Sequence, residues 1–233
     1  MRRVPASLAL RPDGVTSGAH GPTELGAAVP KIVDHEQRRQ ELLAATWRVI
    51  ARTGIVGVTT REIAREAGVS TGVLAHYFAD KEELLAAALR LSHHQVYARL
   101  REGTQGLLGL DALRVVMLEA LPLDEQRLLE AQIEANFWSL ALGNAALRDL
   151  QHEEFERFWD VLHYRVCEAQ KLGQIWSEID ASEVTHQLMI MVEGLSIEAV
   201  LYPSRATPPR QLQILDSFLD RISSPIMHPV PEG

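Results

Sequence analysis

Between residues 35 and 223, apolar side chains recur at three- to four-residue intervals, broken by short stretches rich in Gly, Pro and Asp. That period is the mark of helices that bury one face. Leu42, Leu43, Thr46, Trp47 and Ile50 share a face of a helix predicted over 35–52, with Trp47 expected in the core. A long helix follows over 81–102. Further helices are predicted over 110–121, ended by Leu-Pro-Leu, over 124–142, closed by Gly143, and over 145–172, closed by Gly173. The last two span 181–202, behind a capping box of Asp180 and Glu183, and 208–223, behind Thr207 and paired prolines. No alternating strand pattern occurs, so the expected fold is all-α with around nine helices.

Two very short helices stand out in the segment 58–81. Thr59 and Glu62 form a capping box that starts the first, and Ile63, Ala64 and Ala67 are its inward face. Gly68 stops it, Val69 tucks the turn inward, and Ser70 offers its oxygen as the next N-cap. In the second helix only Leu74 and Phe78 are spaced to anchor it, which leaves Thr71, Gly72, Val73, Ala75, His76 and Tyr77 outward. Asp80 and Glu83 repeat the capping pattern for the helix that follows. Two helices joined by a three-residue turn form a helix-turn-helix, whose second helix enters the DNA major groove; a plain helical hairpin shares the bare pattern.

The surrounding residues resemble the TetR family of bacterial transcriptional regulators. Thr-Thr-Arg-Glu-Ile-Ala, Ala-Gly-Val-Ser-Thr-Gly, His-Tyr-Phe and Asp-Lys-Glu-Glu-Leu-Leu follow one another behind a helix ending in Arg-Thr-Gly. The likeness is strong over about 34–94 and weaker to the C-terminus; the recognition stretch is most similar to the choline-responsive BetI type. The resemblance implies a DNA-binding domain over 34–94, with its motif at about 58–78, and a helical ligand-binding and dimerisation domain over 95–223. It also implies that Thr60 and Arg61 meet phosphate or base, that Thr71, Gly72, Val73, Ala75 and His76 face the groove, and that Tyr77 and Lys81 clamp phosphates. This reading surface is apolar: Val73 and Ala75 can touch a thymine methyl but cannot hydrogen-bond a base, so Arg61, Thr71, His76 and DNA shape carry specificity.

The net charge of −8 argues against a polyanion partner until it is divided along the chain. Residues 1–90 hold 12 Lys+Arg and 10 Asp+Glu, and residues 91–233 hold 11 and 21, so the acidity lies in the second part. The acidic part can be held away from phosphates. A single cysteine, Cys167, excludes an intrachain disulfide and fits a cytoplasmic location. The basic start is too short for a signal peptide, and no unbroken apolar run reaches the ~18 residues of a membrane span. Residues 1–33 read as a flexible tail in which Arg2, Arg3 and Arg11 are either a minor-groove arm or an inert extension; 224–233 read as a loose C-terminal tail.

The helix over 181–202 is apolar all round, with Leu188, Met189, Met191, Val192 and Leu195 among its residues. Such a helix is covered on both sides, and with the 208–223 stripe (Leu212, Ile214, Leu215, Phe218 and Leu219) it is expected to form a homodimer interface. A dimer also places two recognition helices on a palindromic operator. The resemblance puts a small effector among the C-terminal helices, where candidate lining residues are Glu134, Phe137, Trp138, Phe155, Trp159, His163, Tyr164, Gln187, Met191 and Glu193. Most of the aromatic stripe is core by default. Aromatic walls beside carboxylates suit a cationic amine. An alternative is a metal-responsive regulator using Glu156, Asp160, His163 and Cys167 along one helix face, whereas the adjacent His93 and His94 point apart and make no site alone. No phosphate loop, nucleophile elbow or cofactor motif occurs, so neither an enzyme nor a cofactor is expected.

Overall fold

The computed structural model describes residues 31–224, and these fold as nine α-helices with no strand among them. In order they are α1 Lys31–Gly57, α2 Thr60–Glu66, α3 Thr71–Tyr77, α4 Lys81–Gly103, α5 Gly109–Ala120, α6 Glu125–Ala141, α7 Ala145–Lys171, α8 Ala181–Leu201 and α9 Pro208–Ile222. Of the tails expected at 1–33 and 224–233, residues 1–30, with Arg2, Arg3 and Arg11, and 225–233 lie outside the described residues, while 31–33 form the start of α1.

Helix boundaries follow the local chemistry. Thr59, Ser70, Asp80, Asp124, Asn144 and Asp180 each accept a hydrogen bond from a first-turn backbone N–H that would otherwise be orphaned. The box expected at Asp180 closes differently, since Asp180 caps Ser182 N while Glu183 turns to the Gln187 amide at 2.8 Å. Helix α1 is interrupted at Gly54, whose φ of 66° is open to glycine at little cost. Leu108 cannot cap α5; Glu168 and Gln174 reach across to the Gly109 and Leu110 N–H groups at 2.9 Å each.

Two apolar cores result. The first gathers α1 to α4 and includes Ile133 and Phe137 of α6 and Leu147 and Leu150 of α7. The second joins α5, α7, α8 and α9 around Leu113, Met117, Leu162, Val166, Leu188 and Leu215. Helix α4 belongs to both: Leu84, Leu85, Ala88 and Leu89 sit in the first core, and Val96, Tyr97 and Leu100 pack on the second. Trp47 fastens α1 to it, donating its indole N–H to the Ala88 carbonyl at 3.0 Å. By length and a mean hydropathy of 1.3, α8 is apolar enough to cross a bilayer, but it carries Glu183, Glu193 and Glu198 and packs one side against α6 and α7.

Leu89 is 0% exposed where the two cores meet, whereas Leu142 is 83% exposed. Leu89→Ala is expected to cost about 2–5 kcal/mol in urea unfolding, and Leu142→Ala less than about 0.5 kcal/mol.

Candidate functional site

The N-terminal module presents the surface that its capping pattern dictates. Ile63, Ala64, Leu74 and Phe78 are buried and hold α2 and α3 against α1 and α4. The turn between them closes through Gly68, at φ 68°, and a bond from Val69 N to Ala64 O at 2.9 Å. Thr60, Arg61, Thr71, Gly72, Val73, Ala75 and His76 are exposed, with Tyr77 and Lys81 half-buried at the edge. Glu66 takes both Arg48 and Arg52, at 2.8 and 3.1 Å, while Arg61 forms no ion pair among the described residues. His35 lies over the Tyr77 ring with centroids 4.5 Å apart, and His76 meets the same ring edge-on at 5.5 Å. Sequence reasoning had no signal for His35, because it precedes the motif by a full helix.

A partly open cavity of about 940 Å³, mouth included, lies between α4, α5, α6, α7 and α8. Tyr97, Trp138, Phe155 and Phe158 line it together with the carboxylates of Glu119, Glu130, Glu134, Glu154 and Glu193. Its mostly apolar walls with convergent polar groups are those of a small-molecule site. Of the residues expected there, the cavity brings together Glu134, Trp138, Phe155 and Glu193.

The other six lie elsewhere. Phe137, next to Trp138 but about 100° round the helix, is 1% exposed in the first core. Trp159 stacks between Phe155 and His163 in the second core, with centroids 6.4 and 6.2 Å away. His163 bonds Thr185 at 3.2 Å, Tyr164 is 61% exposed and bonds Glu168, and Gln187 is an exposed partner of Glu183. Met191 packs into the second core, because the cavity stripe on α8 is Met189, Val192, Glu193, Ser196 and Ile197. The metal alternative also loses its geometry. Glu156 and Asp160 are exposed, Cys167 Sγ lies 3.5 Å from His163 Nε2, and no group of three or more His, Cys, Asp or Glu is placed to hold a metal among the described residues.

His93, which makes no site with the adjacent His94, meets its partners on other helices. Its Nε2 lies 2.8 Å from Glu134 Oε2, and its Nδ1 lies 3.1 Å from Glu154 Oε2, off line for a hydrogen bond. Burial works against the imidazolium, but the two carboxylates outweigh it and raise the His93 pKa from 6.5 to about 9. Burial likewise opposes charge on Glu134, yet bonds from His93, Gln151 and Trp138 hold its carboxyl below the usual value. Glu154, lying against the His93 ring first of all and then bonded by Arg157, is lowered as well. Elsewhere Arg99 grips Glu130 at 2.9 and 2.7 Å and Glu119 at 3.0 Å. Glu193 differs: burial and the neighbouring Glu134 push its pKa up, and it forms no hydrogen bond or ion pair among the described residues. Spacing along α4 could have placed His93, Val96 and Tyr97 on one face, but not the acids awaiting them on α6 and α7.

The pH dependence follows from these directions. Because the folded His93 pKa lies above the unfolded one, its contribution is complete below about pH 6.5 and is lost as pH rises through about 9. Glu134 and Glu154, lowered on folding, contribute above the ordinary carboxylate range and lose that contribution in acid. Urea unfolding of the wild type is expected to show stability falling by roughly 2 kcal/mol across the alkaline window, and His93→Gln to lack that fall.

The comparisons with known proteins agree with both halves of this arrangement. Residues 42–88 match the model for bacterial regulatory proteins of the tetR family, and residues 109–224 match that for the BetI-type transcriptional repressor C-terminal region. The HTH-type transcriptional regulator PksA of Bacillus subtilis is 32% identical over 83% of this chain and 94% of its own length. The regulator BetI of Burkholderia mallei is 26% identical over 84% of this chain and 99% of its own. Among solved structures, a transcriptional regulator from Rhodococcus sp. Rha1 superposes with a TM-score of 0.71 at 31% identity, covering 79% of this chain and 95% of that one. A putative regulator from Saccharomonospora viridis, solved in complex with choline, shares the fold with a TM-score of 0.77 at 23% identity, covering 82% and 100%. With its helix-turn-helix and helical cavity domain, the chain belongs to the TetR family of transcriptional regulators, and is a ligand-responsive DNA-binding protein and not an enzyme.

Proposed function

We propose that this regulator is a cytoplasmic homodimeric repressor that leaves a palindromic operator when a cationic amine enters the cavity. The carrying observation is the cavity itself, in which four aromatic rings and five carboxylates surround one space and Glu193 forms no ion pair among the described residues. An aromatic wall attracts a cation through its ring quadrupoles, and a carboxylate in a poorly solvated site adds charge complementarity. The choline bound by the Saccharomonospora viridis protein fits the same chemistry, although at 23% identity that protein shares only the fold.

The reading assigns residues 34–94 to operator binding and 95–223 to effector binding and dimerisation. Thr60, Arg61, Thr71, Gly72, Val73, Ala75 and His76 would face the groove, with Tyr77 and Lys81 on phosphates. Arg61 is supported by its freedom from ion pairs among the described residues, Tyr77 by the two histidines that hold its ring. Dimerisation is supported by Ile190 and Leu201 of α8, 53% and 59% exposed. On α9 the expected stripe is mostly spent inside the protomer, since Leu215, Phe218 and Leu219 are buried. Coupling would run through α4, which begins at Lys81 beside α3 and lines the cavity with His93, Val96 and Tyr97. A shift worth ~1–3 kcal/mol is enough to change operator affinity about 5- to 150-fold.

Three measurements test this. Gel shifts on the DNA upstream of the protein's own gene are expected to lose the complex with Arg61→Ala and with Tyr77→Ala; unaltered binding by both variants removes the residue assignment. Calorimetry is expected to detect choline but not its neutral isostere 3,3-dimethylbutan-1-ol, with Glu193→Gln weakening choline about tenfold. Equal binding of both compounds, or of neither, removes the cationic reading. Light scattering after gel filtration is expected to give a dimer mass for the wild type and a monomer mass for Ile190→Glu; an unchanged dimer places the interface elsewhere.

A further inference from the structure

The cavity already contains a cation supplied by the chain. His93 of α4 reaches between Glu134 of α6 and Glu154 of α7, where three helices from different parts of the sequence converge. It is the one residue through which α4 holds both carboxylates, and it does so beyond the first core, about one turn after Leu89. The two acids are held in place without it. Trp138 donates to Glu134 at 3.1 Å and Gln151 donates to the same oxygen, while Arg157 donates to Glu154 at 3.0 Å. Removing the imidazole would therefore leave a standing anionic clamp. The imidazole fits it imperfectly, because only its Nε2 is in line, and both His93 Nδ1 and Glu154 Oε2 are buried without a hydrogen bond.

From this geometry we infer that the Glu134–Glu154 pair is a cation site occupied by His93, and that an effector acts by taking the place of the imidazolium, which unfastens α4 from α6 and α7. The inference deepens the cationic reading proposed above and rests on it for the identity of the displacing group. It adds what that reading lacks, a reason why filling the cavity should move α4. Displacement needs no net gain of charge in the site, since one cation replaces another, and the released imidazole gives up its proton near neutrality once its partners are taken. The charged groups around the imidazole are Glu134 on α6, Glu154 and behind it Arg157 on α7; Glu193 of α8 lies further off, where it feels Glu134 and His186. On α5, Glu119 is turned to Arg99, and the Tyr97 hydroxyl, one turn along α4, is held neutral by burial and by Glu154.

A test on the full chain requires neither the natural effector nor the operator. His93→Ala empties the clamp; the probes are imidazole, which returns the cation untethered, and pyrazole, a weakly basic ring of the same size. Melting temperature at neutral pH and hydrogen–deuterium exchange along α4 are read together. Imidazole, but not pyrazole, is expected to raise the melting temperature of His93→Ala. Exchange in the second half of α4 is expected to be faster than in the wild type by about fivefold or more, and to stay fast with imidazole bound. His93→Lys, which keeps a tethered cation, is expected to retain slow exchange. Three results overturn the inference: equal effects of the two probes, unchanged α4 exchange in His93→Ala, or wild-type exchange restored by free imidazole. If His93→Ala does not fold, His93→Gln replaces it for the exchange comparison, where an unchanged α4 is equally contradictory. A positive clamp result without choline binding to the wild type removes the amine reading alone, and choline binding with an unaltered α4 in the variant removes this inference alone.

Discussion

One imidazolium between two carboxylates holds the boundary of the two cores. Helix α4 is shared between them, buried against α1 at Leu84, Leu85 and Leu89 and against the C-terminal helices at Val96 and Leu100. Apolar contacts of this kind are non-directional and tolerate small slides. The contacts from His93 to Glu134 and Glu154, at 2.8 and 3.1 Å, are charged, and the one to Glu134 is also directional, so they resist such a slide as apolar packing does not. DNA reading and cavity chemistry meet in this helix, because its first residue, Lys81, follows the recognition helix closely and its middle forms a cavity wall.

Burying so many acids is costly unless cations accompany them. The chain meets that demand locally: Arg99 for Glu130 and Glu119, Arg157 for Glu154, and His93 for Glu134 and Glu154. Glu193 is left over, and burial accordingly raises its pKa. The arrangement explains a chain with net charge −8 that nonetheless carries a DNA-reading module, since the surplus acid is drawn into the distal helical region and partly neutralised there. Near the recognition helix the balance differs: Glu66 absorbs Arg48 and Arg52, and Arg61 is left without an ion pair among the described residues.

What could be read in the sequence was local. Capping residues such as Thr59, Ser70 and Asp80 act within one turn, so helix positions and the helix-turn-helix were legible almost residue by residue. Glu134 and Glu193 were legible as cavity candidates because each interrupts an apolar stripe. Phe137 and Trp138 were not separable, because they are adjacent aromatics and only the packing of α6 turns Phe137 into the first core and Trp138 to the cavity. His93 stayed unassigned because its partners are distant. Its role is set by acids on two other helices, one of them 41 residues away, and no pattern along α4 marks their approach.

The most direct measurement is the protonation state of that imidazole, read from the ring ¹⁵N chemical shifts of His93 in the folded protein across a pH titration. The account predicts an imidazolium through neutral pH, titrating near 9 and moving to lower pH when Glu134 is replaced by Gln. A His93 that titrates near 6.5 in the wild type, unchanged by Glu134→Gln, would contradict it.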